Sequence, residues 1–273
     1  MNVLVTGATD GLGKAVATEL ARAGATVLLH GRDEGRGAAT LAEIRAETGA
    51  ERLSWYRADL SSLAAVRGLA DAVRADHERL DVLVNNAGIG TAEPGDGQRL
   101  GSEDGYELRF AVNYLAPFLL TRLLEPLLVD SAPARIVNVS SAGQAPIDFD
   151  DMMLERRYDG VRAYCQSKLA LVMLTFDLAD ELRGRGVTVN CLHPGTYMPT
   201  KIVFAAGVSP MDSLETGVHA TMRLITAPEL EGVSGRYFSR LDEGRALEQA
   251  YDPEARHRLR ETSEQLVELV RTH

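Results

Sequence analysis

Short apolar runs rich in β-branched residues alternate along this chain with longer stretches of helical periodicity, and that alternation limits the fold more than any other feature. The strand-like runs lie at 2–6, 25–30, 52–57, 82–85, 135–139 and 187–192. Helical patterns run between them over 11–23, 33–48, 61–77 and 163–183, and a longer one spans 102–129, where Pro117 and Pro126 predict kinks or a break. Strands separated in this way need crossover connections, so the predicted fold is α/β. It is a doubly wound (Rossmann) parallel sheet of about seven strands with helices on both faces. No repeat, low-complexity stretch or Pro/Gly/Ser-rich linker divides the chain, which predicts a single domain over 1–273. A loop or lid is expected at 196–212 and a C-terminal helix at 253–271.

Composition bounds the partners. A net charge of -10 opposes nonspecific binding to nucleic acid or to an anionic membrane, so neither is expected as a partner. The N-terminus runs straight into a strand with no basic leader or cleavage site, and no uninterrupted apolar run approaches the ~20 residues that span a bilayer. A cytoplasmic location is expected. Cys165 and Cys191 are the only cysteines, too few for a disulfide framework and without metal-ligand spacing, and no metal is expected.

Two motifs carry chemistry. Thr6-Gly7-Ala8-Thr9-Asp10-Gly11-Leu12-Gly13 follows the first strand and opens the first helix. Glycines there permit a tight turn and close backbone approach, and a helix N-terminus offers unpaired N–H groups to a pyrophosphate. Tyr164 and Lys168 stand four residues apart in a helical pattern, which puts phenol and ammonium on one face. A neighbouring cation stabilises phenolate; bringing a tyrosine near neutrality takes roughly 3 pKa units, or about 4 kcal/mol.

With Asn85-Asn86-Ala87-Gly88 after the fourth strand, this order of turn, Asn-Asn-Ala-Gly segment and Tyr-x-x-x-Lys pair resembles the short-chain dehydrogenase/reductase family. The likeness extends over nearly the whole chain. It implies an oxidoreductase that moves hydride between a nicotinamide cofactor and a carbonyl or alcohol of an apolar small molecule. By resemblance, Thr6, Gly7, Asp10, Gly11, Leu12 and Gly13 form the phosphate turn, and Asp59 and Leu60 meet the adenine. Asn86, Ala87 and Gly88 line the cofactor, and Pro194 and Gly195 form the turn facing the nicotinamide. The family's Thr or Ser after that turn is replaced by Pro199, which leaves Thr196 and Thr200 as candidates.

The same resemblance assigns Tyr164 as general acid/base, Lys168 as its pKa-lowering partner and ribose contact, Ser141 as the substrate-orienting hydroxyl, with Ser140 its neighbour, and Asn113 as holder of a relay water. Gly31 stands where NAD-preferring members carry an acidic residue, and Arg32 follows, placed to grip a 2'-phosphate; NADP(H) is therefore expected, with NAD the alternative. Asp10 opposes that choice, because members specific for NADP often carry a basic residue there. The twenty-two residues between Ser141 and Tyr164, the His193-Pro194-Gly195 segment and Gly235-Arg236-Tyr237-Phe238 resemble the retinol dehydrogenase-like branch. Association as a homodimer or homotetramer is implied by resemblance only. A cofactor-binding regulator without turnover is the alternative in another class, and an epimerase-type relative is disfavoured by the short C-terminal region.

Overall fold

The computed structural model describes residues 1–92 and 98–268. Strands β1 (Asn2–Val5), β2 (Thr26–Gly31), β3 (Leu53–Arg57), β4 (Val82–Asn85), β5 (Ala134–Val139), β6 (Val187–His193) and β7 (Arg236–Ser239) pair in parallel, and β8 (Asp242–Glu243) adds an antiparallel edge. The order is β3-β2-β1-β4-β5-β6-β7-β8. Chain direction across the sheet reverses between β1 and β4, so a crevice opens at their C-terminal ends, where ligands of such sheets bind. Eight strands replace the expected seven because Arg240, at φ 56°, turns the chain sharply enough for two residues to pair back on β7. A two-residue strand leaves no periodicity to read.

The strands are apolar on both faces, as a sheet covered on both sides requires. Val3 and Val5 face a core shared with Leu12, Val16, Leu20 and Leu224, whereas Leu4 faces the opposite core with Phe118, Leu119 and Leu171. The first core lies under α1 (Gly11–Arg22), α2 (Glu34–Thr48) and α8 (Leu214–Thr226); the second lies under α3 (Leu63–Asp76), α5 (Ala116–Asp130) and α6 (Gly160–Glu181). Side chains at the N-termini set the helix starts. Asp10, Asp33, Ser62, Asp159 and Ser213 each accept a backbone N–H of the first turn, and Gly49 closes α2 in the left-handed conformation.

The pattern over 102–129 departs most from expectation. Helix begins only at α4 (Leu108–Phe110), passes through a π-helical segment, Ala111–Leu115, and continues as α5. Before it, Ser102 and Tyr106 close a turn on each other. Pro117 sits in the first turn of α5, where no N–H is needed, so the break is the π segment instead. Taken as one stretch, Leu108–Asp130 is long and apolar enough to cross a membrane by length and composition, although 61% of its apolar window is buried inside the protein. The C-terminal helix, α9, runs over Pro253–Leu266, shorter than predicted; residues 269–271 of that prediction lie outside the described residues. It lies on α6 through ion pairs from Arg260 to Asp177 and Glu181. The expected lid contains one short helix, α7 (Lys201–Ala205).

Candidate active site

Glycine is required in the first turn by contact. A Cβ on Gly7, whose φ is 67°, would come within 2.8 Å of Ala87 Cα, and one on Gly13 within 2.3 Å of both Asn86 Nδ2 and the Gly7 carbonyl. The turn is thus pressed against the Asn86-Ala87 segment at the crevice. Thr6 fastens the two: its hydroxyl oxygen accepts the N–H of Asn86 at 2.9 Å and of Ala87 at 3.0 Å, and Asn86 Nδ2 donates back to the Thr6 carbonyl at 2.9 Å. Leu12 is buried in the core beneath. Gly13→Ala is expected to weaken binding of a nicotinamide dinucleotide by tenfold or more in a fluorescence titration, because separating these segments moves the backbone N–H groups that a phosphate at the turn would need.

Sequence reasoning missed His30. It is buried at the end of β2, its Nδ1 accepting the Gly7 N–H at 3.3 Å and its Nε2 within 3.1 Å of the Ala58 carbonyl. Burial pulls it down to about 4, so it stays neutral and can accept from the turn. Only its place one residue before the expected acidic position hinted at a role.

Beyond the turn, an open cavity of about 600 Å³ is lined by Arg32, Asp33, Arg57, Ala58, Asp59 and Ala65. Asp59 accepts the Ser61 N–H at 2.9 Å, and Leu60 is buried beside it. Arg57 was not expected here; its Nε donates to the Arg32 carbonyl at 3.2 Å, which sets its guanidinium beside Arg32. Arg36, from the first turn of α2, was missed too: it reaches Asp10 Oδ2 at 3.0 Å and the Thr9 carbonyl at 3.3 Å. Lys201 meets the same Asp10 oxygen at 2.8 Å. Burial pushes the Asp10 carboxyl up, but Lys201, the Gly11 N–H and Arg36 together hold it below the usual carboxylate range. The negative charge that opposed a 2'-phosphate in the sequence is therefore balanced by two cations that the fold brings to it.

At the other end of the crevice, α6 carries Tyr164 and Lys168 one turn apart, and a Cβ on Gly143 would lie 3.5 Å from Ser141 Oγ and 3.8 Å from Tyr164 Cε1, so the serine hydroxyl and the tyrosine ring converge there. Ser141 also accepts the Gly143 N–H at 3.0 Å. Ser140, by contrast, points its hydroxyl at the Lys168 carbonyl, 2.9 Å away. Lys168 is buried; its ammonium donates to the Val139 carbonyl at 2.9 Å and lies 5.8 Å from the centre of the Tyr164 ring. Burial draws it down to about 8. Burial also raises the Tyr164 phenol, and the nearby Ser141 hydroxyl opposes that rise without overcoming it. In the cofactor-free protein the phenol is thus protonated at neutral pH.

Asn113 lies wholly buried in the π segment. Its Oδ1 accepts the Ile89 N–H at 2.8 Å, while Nδ2 donates to the Ile89 carbonyl at 3.1 Å and to Ser167 Oγ at 3.0 Å. A Cβ on Gly88 would sit 3.2 Å from Asn113 Oδ1 and 3.5 Å from Lys168 Nζ, so both side chains converge on Gly88. Pro194 and Gly195 follow β6 in buried positions. Of the two threonine candidates, Thr196 is tied down: its hydroxyl contacts His193 Nε2 at 3.1 Å and Arg240 Nη2 at 3.2 Å, and its N–H donates to Asp212 at 2.6 Å. Thr200 instead lies against the phosphate turn, its Cγ2 3.1 Å from where a Gly11 Cβ would stand. Two residues on, Ile202 packs on Gly90. The segment between these contacts exposes Tyr197, Phe204 and Met211.

The glycine turn, the donors around it and the two-arginine cavity fit an anionic dinucleotide, and the hydroxyl pair at the far end fits chemistry on an oxygen. Comparison with known proteins agrees. A family model for short chain dehydrogenase matches residues 1–206. The chain is similar to Retinol dehydrogenase 13 of Mus musculus, with 40% identity over 288 residues that cover 99% of this chain and 85% of the relative. Among solved structures it is similar to an uncharacterized protein from Mycobacterium Paratuberculosis, with TM-score 0.75, 31% identity, and 98% and 93% of the two chains covered. The Pseudomonas aeruginosa RhlG/NADP active-site complex matches with TM-score 0.70, 29% identity, and 88% and 94% covered.

Proposed function

The chain belongs to the short-chain dehydrogenase family of nicotinamide-dependent oxidoreductases, and from that premise we propose that it reduces an apolar aldehyde or ketone with NADPH, or oxidises the matching alcohol with NADP. The observation that carries the reading is the convergence of Ser141 Oγ and the Tyr164 ring beside a buried lysine, whose Nζ lies 5.8 Å from the ring centre. It supports Tyr164 as the acid and Ser141 as a second donor to the same carbonyl oxygen.

A bound nicotinamide supplies the hydride; the chain supplies position and a proton. Ser141 orients the carbonyl oxygen and stabilises the negative charge that grows on it. Tyr164 Oη gives its proton to that oxygen as the C–H bond forms, and in the oxidative direction takes it back. Lys168, protonated below pH 8, stabilises the resulting phenolate. Asn113 holds the Gly88-Ile89 loop against the lysine. Thr6, Gly7, Gly11 and Gly13 shape the turn for the diphosphate.

NADP is favoured by Gly31 in place of an acidic residue and by the guanidinium groups of Arg32 and Arg57 in one cavity, with Arg36 beside the turn. The RhlG neighbour's NADP complex supports the same choice. Arg32→Ala is expected to raise the KM for NADPH about 10- to 100-fold, the worth of one charge-assisted contact, and to leave that for NADH within about threefold. A wild-type enzyme that binds NADH more tightly than NADPH would sink the NADP assignment.

An apolar substrate is supported by the exposed Phe204 and Met211 on the lid and by the names of the retinol dehydrogenase relatives. The test follows NADPH absorbance over all-trans-retinal, medium-chain aldehydes and aryl ketones, with NADP and the alcohols as the reverse assay. Cofactor binding without turnover on any of them would turn the reading toward a cofactor-binding regulator.

A further inference from the structure

Among the described residues, the bulkiest wholly buried side chain is a cation that none of the steps above uses. Arg109, at 0% exposure, donates to acceptors on two separate stretches of chain. Nε donates to the Gly90 carbonyl at 2.7 Å, Nη2 to the Thr91 carbonyl at 3.0 Å and Nη1 to the Tyr158 hydroxyl at 2.6 Å. Tyr158 passes its own hydrogen to Glu107 Oε1 at 3.0 Å, and Glu107 Oε2 accepts the Phe110 N–H at 2.7 Å. Glu107, at 1% exposure, stands 3.7 Å from the guanidinium.

As a source of stability this pair is poor. Desolvating two charges offsets most of their attraction, and apolar residues of similar volume often serve a core as well or better. What the guanidinium provides is direction. The Gly88–Thr91 loop is gripped from one helical stretch at two places: Asn113 holds both backbone groups of Ile89, and Arg109 holds the next two carbonyls. Tyr158 immediately precedes Asp159, which caps α6. A Cβ on Gly160 would lie 2.7 Å from the Thr91 carbonyl, so the first turn of α6 rests on the same group that Arg109 holds. Tyr164 stands one turn further along.

We propose that Arg109, Glu107 and Tyr158 are positioning residues for Tyr164, a buried clamp that holds the first turn of α6 against the Gly88–Thr91 loop and so sets the phenol against Ser141. The proposal rests on the reading of Tyr164 as the acid, and its decisive measurement needs no turnover. In cofactor-free protein labelled with 13Cζ-tyrosine, the Tyr164 resonance is the one lost in Tyr164→Phe, and its titration is followed in Tyr158→Phe and Arg109→Lys. Tyr158→Phe removes only the bridging hydroxyl; Arg109→Lys keeps the charge but cannot reach three acceptors.

Both variants are expected to change the acid dissociation constant of Tyr164 by at least about threefold. On whichever carbonyl the wild type reduces, kcat is expected to fall about tenfold with the KM for NADPH within twofold. A Tyr164 titration unmoved in folded Tyr158→Phe overturns the proposal, even if the melting temperature falls, because a purely structural clamp would do only the latter. Absence of turnover in the wild type would instead count against the proposed function, and the titration would still judge the clamp. If Arg109→Lys does not fold, Tyr158→Phe decides alone.

Discussion

Tyr164→Phe is expected to lower kcat for carbonyl reduction on the order of 10³-fold while leaving the dissociation constant of NADPH within about twofold. The magnitude is that of one general acid removed from a site whose other groups stay in place. Phenylalanine keeps the ring, so the packing of α6 and the cofactor site should survive, and Ser141 keeps a hydroxyl that can orient the substrate but is too weak an acid to replace the phenol. Stopped-flow or steady-state assays with NADPH, set beside a fluorescence titration of cofactor binding, separate the two quantities. Turnover within a factor of ten of wild type would remove Tyr164 as the acid.

The pH dependence follows with a definite sign. Reduction uses the protonated phenol, so its rate should fall as pH rises through the Tyr164 pKa; oxidation uses phenolate and should rise over the same range. Burial holds that pKa above the ordinary tyrosine value in the cofactor-free protein. Lys168 loses its charge as pH passes about 8, which withdraws the stabilisation of phenolate and steepens neither limb below that point.

The layers of the fold were legible because a parallel sheet covered on both faces needs continuous apolar strands separated by helices, and β1 to β6 have them. What failed was local. The start of helix in the 102–129 pattern is set by the Ser102–Tyr106 turn, and the π segment by where Asn113 finds Ile89, which are tertiary facts without a period in the sequence. Spacing put two candidate residues on one helix face, but it could not name their partners. Tyr164 and Lys168 share a helix face as expected, yet the ammonium points to the Val139 carbonyl, and the Tyr164 ring meets Ser141 Oγ beside Gly143. His30, Arg36 and Lys201 carry no motif; they become informative only when the fold sets them against Gly7 and Asp10.

Lys168→Met is expected to make the cofactor-free protein more stable at pH 7 by about 2 kcal/mol while nearly abolishing turnover. The ammonium is buried, and its pKa falls from the ordinary 10.5 to about 8. A lysine with a lower pKa in the fold than in the unfolded chain binds more protons when unfolded, so stability is reduced below pH 8 and regained as pH rises toward 10.5. Fully expressed at pH 7, that shift is worth about 3 kcal/mol. The hydrogen bond to the Val139 carbonyl, about 1 kcal/mol, offsets part of the gain because methionine cannot replace it. Urea titrations at pH 7 and pH 10 test both sign and origin: the advantage of the variant should shrink at the higher pH, where the wild-type lysine folds uncharged at less expense. A variant less stable than wild type at pH 7 would mean that the ammonium is a structural prop. The expected result makes it a charge that the fold carries at a loss, kept beside Tyr164 for what it does to a phenolate.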